Sequence, residues 1–341
     1  MTQPVETLCH GGARLLLAHM LPRLLTTTAL AAAIAGAAAA GPAPAYKGAI
    51  STDAATGAVL FESNADAISP PASMTKLMTF AVLDDELRKG SLSLETRVTI
   101  TQEDARVGLL RKSTAVWLRQ GEEFRAEELI YAMMIQSAND AAYALAHKAA
   151  GTVPQFVAMM NAKARELGMV HSTFRTPNGY PTPSHRIADG DLSTPRDYAL
   201  LCRYLLQHTD VLKYTSVKTR PFGAGIRLQP VQMTNHNHLL GKIPGVDGLK
   251  TGFTDGAGFC LAATAQRNGR RIIVVMMDSP DSRTRDLNVE DLISQAFIRL
   301  PVVEAPFAPK AAAPTQPTRP SAAPPAPDPG PVIVVPRAAG K

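Results

Sequence analysis

The chain has 341 residues, 45% of them hydrophobic and only 5% aromatic, with 27 prolines, 24 glycines and a formal net charge of +6. That much apolar surface excludes a uniformly disordered chain, and outside the N-terminal region no apolar run approaches the roughly 20 residues of a membrane span. Lys310, Arg319, Arg337 and Lys341 against Asp328 place half of the charge in the tail, so residues 46–304 lack the clustered basic surface of a nucleic-acid binder.

The N-terminus carries Arg14 and Arg23, then a mildly apolar run from Leu24 to Ala40, then small residues that offer cleavage after Ala45 or Ala40. This order is that of a secretory signal over residues 1–45 and predicts a secreted or periplasmic protein. The alternative is a retained anchor; an alanine-rich rather than leucine-rich run favours cleavage. Adjacent arginines are absent, so the twin-arginine route is not supported.

The body opens on a hairpin signal, Ala49-Ile50 and Val59-Leu60-Phe61 around a turn ending in Gly57. After Pro70-Pro71 a helix is predicted from near Ser73, with Met74, Leu77, Met78 and Ala81 on one stripe and Gly90 as its stop. Further helices are predicted over Glu127 to Ile135, from the break at 136–140 to Ala150, over Pro154 to Leu167, and after the Ser193-Thr194-Pro195 cap. Phe259 to Ala265 and Arg271 to Met277 flank Arg267-Asn268-Gly269 and read as a hairpin, and Asp281 to Leu300 has helical spacing. Strands at both ends and helices between predict an antiparallel sheet built from both ends around a helical insertion. No internal repeat is visible. Residues 305–341 form a Pro/Ala tract whose Val332-Ile-Val-Val335 is too short to lie on a membrane, so an extended tail without a stable membrane anchor is expected.

Of the three cysteines, Cys9 leaves with the leader, while Cys202 and Cys260 sit in apolar runs and read as small buried hydrophobes, with a disulfide between them left open. No zinc-type Cys/His spacing is present. His236 and His238 would share a face if they lay on a strand, but further metal ligands are not evident. Trp117 and the methionines read as core or rim.

Three short motifs carry chemistry. In Ser73-Met74-Thr75-Lys76 the three-residue spacing puts an amine within reach of a hydroxyl on one helix face. A helix start also suits a developing oxyanion, and burial or a second cation would bring the lysine toward neutrality as a base. The plainer reading is a serine cap and a solvated lysine. Ser137-Ala138-Asn139 lies in the polar break between two apolar helices, where a hydroxyl and an amide could relay a proton and hold a substrate amide; Ser and Asn are also ordinary loop residues. Lys250-Thr251-Gly252 suits a strand edge laid against a peptide, with Lys250 as an anion site that helps depress the Lys76 pKa; otherwise it is an edge strand guarded by a lysine.

In this order and context the motifs resemble those of the β-lactamase and penicillin-binding serine acyltransferases. Pro71 to Thr79, Ile135 to Ala141, and Val246 to Gly252 with Ala257 to Leu261 resemble in particular the low-molecular-weight D-alanyl-D-alanine carboxypeptidases of serine peptidase family S11. The likeness spans roughly Ala45 to Leu300. It implies an α/β sandwich with a mainly antiparallel sheet flanked by helices, and a single domain over 46–304. It implies Ser73 as the nucleophile that attacks the penultimate D-Ala carbonyl, Lys76 as its base, Ser137 as the proton relay to the departing D-Ala, and Asn139 as the group that holds Lys76 and the substrate amide. Lys250 and Thr251 would bind the terminal carboxylate. Gly252 would admit the peptide backbone, and the N–H groups of Ser73 and Phe253 would form the oxyanion hole. Arg285 aligns with a carboxylate-holding residue of some relatives, with Arg283 a close competitor. The implied partners are peptidoglycan stem peptides, with β-lactams as inhibitors; no cofactor or metal is implied.

Three departures stand out. Ala138 replaces the usual Gly or Asp, Phe253 stands where relatives often have His, and the chain runs straight into its proline tract where many relatives continue into a β-rich domain and an amphipathic anchor. A D,D-endopeptidase, a β-lactamase or a non-catalytic cell-wall binder on the same scaffold are the alternatives. A Glu-x-x-Leu-Asn segment is absent, which speaks against one β-lactamase class.

Overall fold

The computed structural model describes residues 45–300. Residues 1–44 and 301–341, which hold the expected leader and Pro/Ala tail, lie outside them. In chain order the elements begin with β1 (Gly48–Asp53), β2 (Val59–Ser63), a 3₁₀ turn at Ala72–Met74, α1 (Thr75–Lys89), β3 (Arg97–Thr99), α2 (Gln102–Gly108) and β4 (Glu123–Arg125). Then follow α3 (Ala126–Ile135), α4 (Asn139–Ala150), α5 (Val153–Glu166), a 3₁₀ turn at Ile187–Asp189, α6 (Pro195–His208) and α7 (Val211–Thr215). The last are β5 (Thr219–Phe222), β6 (Val231–Thr234), β7 (Val246–Thr254), β8 (Gly258–Arg267), β9 (Arg270–Ser279) and α8 (Ser282–Arg299).

One five-stranded sheet, ordered β2-β1-β9-β8-β7 and antiparallel throughout, joins the first hairpin to the last three strands. Asn268 and Gly269 both take positive φ in the β8–β9 turn, as a two-residue hairpin whose twist matches its strands requires. The sheet is buried on both faces, which is why β8 and β9 read as unbroken apolar runs. Along β9, Ile273, Val275 and Met277 join the core shared with the helices of the insertion, while Ile272, Val274 and Met276 join a second core with α8. The strand period of two divides one sequence between two cores.

Helix ends follow their capping chemistry. Thr194 and Asp281 accept from the backbone N–H three residues on, which starts α6 and α8, and left-handed Gly90 ends α1. Such a cap stabilises by about 1 kcal/mol. The sequence reading did not anticipate β3–β4, β5–β6, α2 or α7. The two extra ribbons have strands of only three or four residues with one or two inward apolar side chains, such as Val98 and Phe124, too few to make a pattern. Cys202 and Cys260 are both free and buried, so the disulfide left open is not formed; burial pushes both thiols up, that of Cys260 to about 12.

Candidate active site

Pro71 ends the approach to the 3₁₀ turn, and that turn runs directly into α1. Ser73 therefore stands one turn before Lys76 on the same side. Lys76 Nζ lies 2.9 Å from Ser73 Oγ, and donates to Asn139 Oδ1 and to the Asn178 carbonyl, each at 2.6 Å. Lys76 is wholly buried, and burial first, then the charge of Lys250, holds its amine well below the ordinary lysine range. A neutral amine has two N–H groups, and both acceptors for them are in place. Its lone pair is left for the Ser73 hydroxyl proton.

Ser137 sits between α3 and α4 with φ +61, a left-handed conformation that turns it out of the helical path. Its carbonyl accepts from Thr114 Oγ1 at 2.8 Å, and its hydroxyl accepts from Lys250 Nζ at 3.1 Å. Asn139 opens α4, and its amide donates to Ser113 Oγ at 3.0 Å. Lys250 is buried on the edge strand β7; burial, then Arg285, lowers its amine to about 7. Gly252 is needed for approach: a Cβ there would lie 2.4 Å from the Pro71 carbonyl oxygen and 3.2 Å from the Met74 nitrogen. Its absence lets β7 lie against the turn that carries Ser73. Phe253 is half exposed with its ring on Phe259, centroids 4.2 Å apart.

A cavity of about 190 Å³ is lined by Ser73, Ser137, Asn139, Thr251, Gly252 and Phe253, so the three motifs, scattered along the chain, meet at one place. Lys76 and Lys250 are buried behind it and reach it through the Ser73 and Ser137 hydroxyls. Arg285 is buried on α8 and hydrogen-bonded to Asp286. It is not among the lining residues and acts on the site through the Lys250 pKa; its competitor Arg283 is exposed.

Several residues of the site were not found from sequence. Asn178 contributes only a backbone carbonyl, which no side-chain motif reveals. Buried Asp191 orders that loop by accepting from the Arg175 and Thr176 N–H groups and from Thr75 Oγ1 on α1. His236 also lines the cavity; burial, then Lys250, lowers it to about 4, so it is a neutral imidazole. His236 and His238 do not lie on a strand, so the shared strand face considered for them does not arise. Both follow β6 in a loop pinned by Asn235 and Asn237, and His238 instead pairs with Asp286. Among the described residues no group of three or more His, Cys, Asp or Glu could hold a metal ion.

Gly179 takes φ +76, and a Cβ on it would stand 1.9 Å from the Ala72 carbonyl oxygen. Gly179→Ala is expected to destabilise by about 3 kcal/mol and to slow acylation, because the backbone of the Ser73 turn must move; thermal melting and a β-lactam acylation rate measure both.

The family profile described as D-alanyl-D-alanine carboxypeptidase, peptidase S11, matches residues 35–281. The chain belongs to this family. It is 36% identical over 248 residues to D-alanyl-D-alanine carboxypeptidase DacC of Escherichia coli, covering 72% of this chain and 59% of DacC. It is 31% identical over 251 residues to DacF of Bacillus subtilis, covering 74% and 62%. The S11 chain thus spans about three fifths of the length of these curated relatives. Among solved structures, penicillin binding protein 5 of Haemophilus influenzae superposes with a TM-score of 0.69 at 29% identity, covering 75% of this chain and 72% of that one. Penicillin-binding protein D2 of Listeria monocytogenes, in its ampicillin-bound form, gives 0.65 at 30% identity, covering 74% and 98%. These likenesses agree with the expected α/β sandwich, antiparallel sheet and flanking helices.

Proposed function

We propose that the chain is a serine-type D-alanyl-D-alanine carboxypeptidase that removes the terminal D-Ala of peptidoglycan stem peptides. The observation that carries this is the buried, depressed Lys76 amine 2.9 Å from Ser73 Oγ, at a cavity also lined by Ser137, whose hydroxyl accepts from buried Lys250. Ser73 Oγ gives its proton to Lys76 as it attacks the penultimate carbonyl. The N–H groups of Ser73 and Phe253 receive the oxyanion, and loss of one such donor typically costs on the order of 10²–10³ in rate. Lys76 returns that proton through the Ser137 hydroxyl to the departing D-Ala nitrogen, which leaves the Lys76 amine neutral again. Lys250, Thr251 and the field of Arg285 hold the terminal carboxylate, Asn139 the substrate amide, and Gly252 admits the substrate backbone. Water then attacks the acyl-Ser73, the neutral Lys76 amine takes its proton, and that proton returns to Ser73 Oγ as the ester bond breaks. A β-lactam presents a strained amide and a carboxylate to the groups that take the peptide's amide and carboxylate, a reading supported by the ampicillin- and cefotaxime-bound forms of the Listeria relative. The basic, apolar and small residues of positions 1–45 support a periplasmic or secreted location. Among the described residues no helix is long and apolar enough to cross a membrane.

The test is direct. The purified protein is incubated with a pentapeptide ending in D-Ala-D-Ala, with a cross-linked muropeptide and with a penicillin. Release of free D-Ala and a penicilloyl mass on the peptide that carries Ser73 are expected. Cleavage of the cross-link alone moves the activity to D,D-endopeptidase, rapid penicillin turnover moves it to β-lactamase, and no reaction leaves a cell-wall binder.

A further inference from the structure

Trp117, the single tryptophan of the chain, is 53% exposed and takes φ +52. A left-handed backbone is unfavourable for a bulky side chain, and such strain persists only where its surroundings impose it. Here they do. Asp140, fully buried and next to Asn139, accepts from the Val116 N–H at 3.3 Å and the Leu118 N–H at 3.0 Å. Arg227, held by Glu122, donates to the carbonyls of Val116 at 2.6 Å and Trp117 at 3.0 Å. Val116 and Leu118 are buried on either side. Both edges of the backbone are thus clamped so that the indole alone is turned to solvent. Among the described residues the ring stacks on no aromatic group and covers no cation. The same loop supplies Lys112 and Thr114 to the lining of the catalytic cavity, and Trp117 follows three residues after Thr114.

We propose that Trp117 is a stacking platform for the polysaccharide that carries the substrate peptides, a β-linked N-acetylhexosamine strand whose axial C–H faces lie flat on an indole. This rests on the proposed function for the choice of glycan, but not on catalysis. A rigid aromatic face with a polar N–H edge suits a ligand that is apolar on its faces and hydroxylated at its rim. A ring set by its own backbone loses little freedom on binding. The platform would hold the glycan while the stem peptide enters beside Ser73.

Because Trp117 is the only tryptophan, its emission reports the site directly. Titration of the full-length protein with peptide-free N-acetylglucosamine tetramer is expected to shift that emission to shorter wavelength with saturation in the millimolar range or below, whether or not the protein cleaves peptides. Trp117→Gly, which the positive φ favours, is expected to lower the rate on glycan-linked peptide relative to free pentapeptide by about tenfold, and Trp117→Phe to keep most of that ratio. An unchanged emission at saturating tetramer, a Gly variant with the ratio intact, or a Phe variant as poor as the Gly one overturns the proposal. Loss of peptide cleavage in the wild type with the emission shift retained overturns the carboxypeptidase reading and leaves this one standing.

Discussion

Lys76→Met is expected to lower D-Ala release, and β-lactam acylation with it, by about 10³-fold while the protein stays folded. The side chain is wholly buried with its amine in the neutral direction, so methionine of similar length removes the base without uncovering a charge. The cost in stability is confined to the acceptors left behind, Asn139 Oδ1 and the Asn178 carbonyl, and a melting curve bounds it. Ser73→Ala is expected to abolish the acyl-enzyme outright. Adding Lys76→Met to it should lower the residual rate no further, because the two groups act as one unit. Residual D-Ala release by the four proteins makes that comparison, and stopped-flow acylation compares the wild type with Lys76→Met. If Lys76→Met acylates at the wild-type rate, the proton leaves Ser73 by another route and the assigned base is wrong.

Much of this was legible in the sequence because the chemistry is carried by side chains at short, fixed spacings. Ser73 and Lys76 are three apart on one turn, the first two motifs sit at helix boundaries, and Lys250-Thr251-Gly252 lies within β7. The sheet was legible for a different reason: Asn268-Gly269 between two apolar runs fixes the β8–β9 hairpin, and Gly57 marks the β1–β2 turn. The groups that remained hidden are those whose role is tertiary. The Asn178 carbonyl carries no residue signature. Asp191 and Asp140 look like surface acids and are buried only because backbone N–H groups converge on them; burial then pushes both carboxyls up. His236 became a cavity residue through the asparagines on either side of it. Trp117 read as core or rim, and its half-exposed side chain on a clamped, left-handed backbone takes it out of the core. Arg285 was aligned to the substrate carboxylate, yet its guanidinium is engaged by Asp286 and reaches the site as a field.

Activity and stability should move in opposite directions with pH because of Lys250. Its amine titrates at about 7 in the folded protein and near 10.4 when unfolded. In the proposed site only the protonated amine holds the terminal carboxylate. The kcat/KM for a peptide substrate, which reports the free enzyme, is therefore expected to fall above about pH 7, and kcat much less, because a bound carboxylate keeps the amine charged. For stability the sign reverses. Between these two pKa values residue 250 binds more protons in the unfolded chain than in the folded one, so its contribution to the unfolding free energy rises with pH, opposed above about pH 8.5 by the buried Cys202 and Cys260 thiols, which stay protonated when folded. Lys250→Arg keeps its charge at every accessible pH and should carry the kcat/KM limb upward. Lys250→Met should raise KM by about 100-fold and flatten the rise in stability, since the group whose burial disfavours charge is gone. It should also move the acid limb of kcat to higher pH, because Lys250 is the nearby cation that helps depress Lys76. Urea titrations at several pH values and steady-state profiles on one preparation measure both slopes. A Lys250→Met protein that keeps the wild-type KM would remove Lys250 from the carboxylate site, and one whose stability keeps the wild-type slope with pH would remove the depressed Lys250 amine as the source of that slope.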